Sequence, residues 1–160
     1  MEPLNEQQIL NNLRQQDDTS AQYYAAWWLG KMRSRHPDVL PLLIHTLSAL
    51  DEQPVDPDRR GVALNAIRAL GLLRNKSASN ELIQLLQSDD YSVREEAARS
   101  LGCMNDPTAI EPICQRLSGG IETAGREQDG KALLREPCEA LIEALGDIGL
   151  NSSIIRETIL

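Results

Sequence analysis

Four of the five aromatic side chains of this 160-residue chain fall within six residues, as Tyr23, Tyr24, Trp27 and Trp28. Tyr and Trp combine large flat area with a polar handle, and they dominate the energetics of recognition surfaces. A block of this kind holds a flat conjugated ligand or a protein partner; it does not break bonds. Just beyond it stand Lys31, Arg33, Arg35 and His36. Arg grips carboxylates in bidentate fashion, so Arg33 and Arg35 are candidate carboxylate clamps. The plainer alternatives stay open: an N-terminal amphipathic helix carrying Ile9, Leu10 and Leu13 that folds over the rings, and cations placed favourably at a helix C-terminus.

Residues for covalent catalysis are scarce. There are two histidines, His36 and His45, with no motif around them, and three cysteines, Cys103, Cys114 and Cys138, without Cys-x-x-Cys spacing. No zinc site or disulfide framework is expected, and the thiols read as small buried hydrophobes. No metal is implied.

The elements that must position the aromatic block repeat. Ala25 to Gly30, Ala66 to Gly71, Ala97 to Gly102 and Leu141 to Gly146 share one pattern, an apolar helix closed by a glycine, at intervals of 41, 31 and 44 residues. About 31 residues suits a two-helix repeat, and the longer intervals hold insertions near 51–57 and 119–126, rich in turn formers. The chain therefore reads as one all-α domain over 1–160, an α-solenoid of about four helical hairpins at 17–50, 58–87, 89–118 and 131–160, behind an N-terminal helix at about 5–16. Asp90 and Asp106 are expected helix N-caps, with Pro107 at the first helical position, and Gly102 a C-cap at positive φ. Arg94 is expected to pair with a carboxylate of an adjacent repeat.

Aligning the repeats on their glycines shows where the first departs. Tyr23 and Trp27 match Leu64 and Arg68, Glu95 and Arg99, Glu139 and Glu143. Tyr24 and Trp28 match Asn65 and Ala69, Glu96 and Ser100, Ala140 and Ala144, which are mostly small or polar. One division of labour puts Tyr24 and Trp28 in the core, with Tyr23 and Trp27 on a binding face.

Composition excludes several classes. A net charge of −8 with no cluster of Lys or Arg argues against a nucleic-acid backbone as partner. No run approaches the ~20 apolar residues of a membrane span. The stretch from Met1 to Glu6 lacks a signal-peptide layout, so a cytoplasmic protein is expected.

The block Ala21-Gln22-Tyr23-Tyr24-Ala25-Ala26-Trp27-Trp28-Leu29-Gly30-Lys31-Met32-Arg33 closely resembles the first-repeat signature of the E subunit of E/F-type phycobilin lyases. Asp90 to Gly102 resembles that family's HEAT-like repeat, and Pro137 to Gly146 its fourth repeat. The resemblance implies a heterodimer with an F-type subunit that attaches phycocyanobilin, as substrate and not cofactor, to a cysteine of the phycocyanin α subunit. It also implies a chain that stops before the family's C-terminal repeats. Such an end would expose Leu150, Ile154, Ile155 and Ile159, and homodimerisation through that face is expected. The competing reading is a non-catalytic HEAT-repeat adaptor in phycobilisome assembly or degradation.

Overall fold

The computed structural model describes residues 4–128, 130 and 135–149. Among them every regular element is an α-helix or a short 3-10 turn, and no strand occurs. The chain divides into two compact units, Met1–Leu73 and Arg74–Leu160.

The first unit holds α1 (Glu6–Arg14), α2 (Thr19–Lys31), α3 (Val39–Thr46) and α4 (Pro57–Leu73). Helix α1 starts at a capping box: the Asn5 side chain accepts from the Gln8 N–H, and the Gln8 side chain accepts from the Asn5 N–H, both at 2.9 Å. Its stripe of Ile9, Leu10 and Leu13 is fully buried, packing towards α2. Polar ties hold α1 in place: Arg14 reaches Asp38 at 2.6 Å, the Ser34 hydroxyl donates to Glu6, and the buried Gln22 amide donates to the Gln15 carbonyl at 2.8 Å. Asp18 caps α2 by accepting from the Ala21 N–H.

The second unit holds α5 (Ser79–Leu85), α6 (Tyr91–Met104), α7 (Ile110–Arg116), α8 (Ile121–Ala124) and α9 (Cys138–Ile148). Asp90 caps α6, accepting from the Ser92 and Val93 N–H groups. Asp106 caps the 3-10 turn that begins at Pro107 and leads into α7. Asp106 is also buried, and it accepts from the Ser79 hydroxyl at 2.6 Å. That bond holds its carboxyl below the usual range, against the opposing effect of burial.

Two sequence expectations change here. The repeated glycines are not helix ends: Gly30, Gly71, Gly102 and Gly146 all lie inside helices. At two of them the reason is close packing. A Cβ on Gly30 would sit 2.7 Å from the Ala69 Cα, and one on Gly102 would sit 2.9 Å from the Ala144 Cα. The chain turns three residues later in each repeat, at Arg33 (φ 50), Arg74 (φ 54), Asn105 (φ 53) and Gly149 (φ 142). Asn takes the left-handed conformation comparatively readily, whereas Arg33 and Arg74 carry side chains that seldom adopt it. The second change concerns Cys103, expected inside but exposed at the end of α6; Cys114 is buried and Cys138 intermediate.

Of the two insertions, 51–57 follows a 3-10 turn (Leu47–Asp51), whereas the second contains the short helix α8. The apolar face of Leu150, Ile154, Ile155 and Ile159 lies outside the described residues, as do 131–134 and the end of the expected fourth repeat.

Candidate functional site

Helix α2 places the aromatic block. Ala25, Ala26, Leu29 and Gly30 form its buried face, and the small side chains let α4 approach closely. The rings are thereby turned outward: Tyr23 is 47% exposed, Tyr24 48% and Trp27 47%, while Trp28 is half-buried. The Tyr24 and Trp27 rings meet with centroids 5.7 Å apart at a tilt of 36°, within the distance range of interacting aromatic pairs.

Tyr24 therefore does not join the core, contrary to the division expected from the repeat alignment. The equivalent Asn65 of α4 is buried because it faces α2, where its side-chain amide donates to the Tyr23 carbonyl at 2.9 Å. Ala140 of α9 is likewise buried, in a helix packed on α6. Tyr24 belongs to the first repeat and has only α1 ahead of it. Helix α1 covers the alanine and leucine face and leaves the rings open. The position of Trp27 is exposed in every repeat, at Arg68, Arg99 and Glu143. In the second unit it carries charge, and Arg99 pairs with Glu143 at 2.8 Å.

Arg33 sits at the left-handed turn after α2, its N–H donating to the Gly30 carbonyl at 3.1 Å. Arg33 and Arg35 are both exposed, and neither pairs with a carboxylate among the described residues. Exposed Met32 and Leu72 add apolar surface to the same unit. The unit thus presents open rings and two uncommitted guanidinium groups.

No set for covalent catalysis is assembled among the described residues. Burial and then nearby Glu136 raise the pKa of the Cys138 thiol, which faces the Ile121 carbonyl at 3.7 Å. A raised thiol is a poor nucleophile at neutral pH. No group of three or more His, Cys, Asp or Glu that could hold a metal ion occurs among the described residues. None of their helices is long and apolar enough to cross a membrane.

Sequence reasoning missed the centre of the second unit. Glu136, mostly buried just ahead of α9, receives Arg116 through contacts of 3.2 and 2.5 Å. The buried Arg94 has its Nε 3.8 Å from the same carboxylate and donates to the Ser88 and Arg135 carbonyls. Arg94 was legible as a pairing residue; Glu136 was not, because it lies in a segment without helical periodicity.

The PBS lyase HEAT-like repeat family matches residues 21–49, the stretch that carries the aromatic block, and the HEAT repeats family matches residues 49–122. The chain is 54% identical over 153 residues to "Bilin biosynthesis protein RpcE" of Synechococcus sp. (strain WH8020), covering 96% of this chain and 58% of that protein. It is 42% identical over 150 residues to "Phycocyanobilin lyase subunit alpha" of Picosynechococcus sp. (strain ATCC 27264 / PCC 7002 / PR-6), covering 92% of this chain and 54% of that protein. A solved complex of CpcE and CpcF of phycocyanin lyase from Nostoc sp. PCC7120 matches with a TM-score of 0.72 and 32% identity, over 99% of this chain and 63% of that one. The chain spans about half the length of the curated relatives it matches.

Proposed function

We propose, from the premise that this chain is a homologue of the phycobilin lyase alpha subunits, that it forms part of an enzyme attaching a bilin to a phycobiliprotein. With an F-type subunit it would link phycocyanobilin to a cysteine of the phycocyanin α subunit. This reading goes with a cytoplasmic place of action. The observation that carries it is the open ring surface of Tyr23, Tyr24 and Trp27, in the segment matched by the lyase repeat family.

The chemistry makes modest demands on the lyase. The acceptor's thiol adds across the ethylidene double bond of bilin ring A: a carbon–sulfur bond forms, the C=C π bond breaks, and the thiol proton ends on the bilin. The nucleophile belongs to the acceptor, so the lyase supplies position rather than reactive groups. Holding two reactants in line removes much of the entropic barrier. In this reading Tyr23, Tyr24, Trp27 and Trp28 contact the bilin or the F-type subunit, and Arg33 and Arg35 hold carboxylates. The homodimer expected through Leu150, Ile154, Ile155 and Ile159 rests on residues outside those described and forms no part of the proposal.

Reconstitution tests it. The chain is combined with a candidate F-type subunit, phycocyanobilin and apo-α subunit, and chromophore surviving denaturing electrophoresis is measured. Covalent chromophore on the α subunit is expected. F-type subunit captured without chromophore transfer would contradict the lyase reading and leave the adaptor in its place.

A further inference from the structure

The first unit holds a second feature, a cleft of about 250 Å³ lined from α1, α2, α3 and α4. Its apolar lining includes Leu13, Leu42 and Val62, and Arg14, Arg59 and His45 stand around it. Among the described residues no acidic side chain lines it, in a chain of net charge −8. The carboxylates that hold the two arginines approach from outside that lining, and each takes one terminal nitrogen. Asp38 accepts from Arg14 Nη2 at 2.6 Å, and Glu52 accepts from Arg59 Nη1 at 2.5 Å. Arg59 Nε and Nη2 make no hydrogen bond among the described residues.

Apart from the His45 ring, the neutral side-chain donors of the cleft are already committed, Gln16 donating its amide to the Arg14 carbonyl at 3.1 Å. Gln22, only 5% exposed, donates its amide to the Leu13 and Gln15 carbonyls, and the Thr46 hydroxyl donates to the Leu43 carbonyl at 2.6 Å. What the cleft still offers is guanidinium N–H, chiefly that of Arg59, and the His45 ring, beside apolar wall. The insertion after the first repeat builds this arrangement: Glu52 anchors the Arg59 side chain, and the Asp56 carboxylate accepts from the Asp58 and Arg59 N–H groups. Insertions of repeat proteins often serve binding faces.

We infer that this cleft is a binding site for a small carboxylate carrying an apolar body. Guanidinium suits carboxylate oxygens, and the apolar wall takes the hydrocarbon, the usual composition of a small-molecule site. None of the α2 rings is among its lining residues, and the site does not depend on the bilin reading. Such a carboxylate could belong to a bilin propionate arm or to a separate acid.

The test is titration of the whole chain with hexanoate and, separately, hexylammonium, followed by the methyl NMR signals of Leu42 and Val62. Saturable shifts with hexanoate and none with hexylammonium are expected. Arg59→Gln should weaken hexanoate about fivefold, as fits a partly exposed charge contact. Glu52→Ala breaks the same ion pair but frees Arg59, and should bind hexanoate at least as tightly as the unmutated chain. Equal binding of the two probes, no saturable shift, or a Glu52→Ala loss as large as that of Arg59→Gln would overturn the site. Adding phycocyanobilin separates the sources: displaced hexanoate assigns the cleft to a propionate arm, and retained hexanoate assigns it to a separate acid.

Discussion

Gly30 of α2 faces Ala69 of α4 so closely that a methyl group on the glycine would lie 2.7 Å from the Ala69 Cα and 2.8 Å from its Cβ. Both obstacles are fixed parts of a helix, so the helices themselves would have to separate. Gly30→Ala should therefore destabilise the protein by about 2 kcal/mol, in the range of overpacked cores. Gly146 is the contrasting case, with nothing among the described residues within 4 Å of a Cβ built on it. There Gly146→Ala should stabilise by about 0.5–1 kcal/mol through helix propensity alone. Denaturant unfolding of both variants checks the pair of signs.

Asp106 links acid to stability. Its carboxyl is held below the ordinary value of 3.8, chiefly by the Ser79 hydroxyl, so the folded state prefers the charged form. The stabilisation is present in full above the unfolded-state pKa and is lost as pH falls through the lowered folded value. Asp106→Asn should cost about 1–3 kcal/mol at neutral pH, the magnitude for a buried hydrogen-bonded charge. It should also flatten the acid limb of a stability-against-pH curve. An acid limb as steep as that of the unmutated protein would contradict the assignment.

Glu136 ties the segment ahead of α9 to Arg116 of α7 and Arg94 of α6. Replacing one member of a mostly buried pair leaves the opposite charge uncompensated. Glu136→Gln should cost about 3 kcal/mol, the low end for a broken buried pair, and speed proteolytic cleavage between 119 and 128. Urea unfolding and limited proteolysis read the two effects.

The fold was legible where the signal is local. Asp90 and Asp106 act on N–H groups two or three residues away, so their cap chemistry shows in the bare sequence. Helix ends were harder, because glycine marks both left-handed stops and close helix contacts. What distinguishes the two here is the alanine two residues before the next repeat's glycine, Ala69 for Gly30 and Ala144 for Gly102. The aromatic block stood out by type and spacing. Spacing by four pairs Tyr23 with Trp27, yet the rings that meet are Tyr24 and Trp27. That outcome depends on what packs ahead of α2, which no repeat alignment contains. The cleft was invisible for a similar reason: its lining is gathered from Leu13 to Val62 across four helices.

If the open rings of α2 serve recognition, as proposed, Trp27→Ala should impair it. Bilin transfer to the apo-α subunit and capture of the F-type subunit are measured separately on the folded variant. Half of the Trp27 surface is already in water, so the substitution should change stability by only about 1 kcal/mol. A loss of tenfold or more, roughly the 1.4 kcal/mol of a modest hot spot, is expected in at least one of the two activities. Transfer and capture both equal to those of the unmutated chain would contradict it.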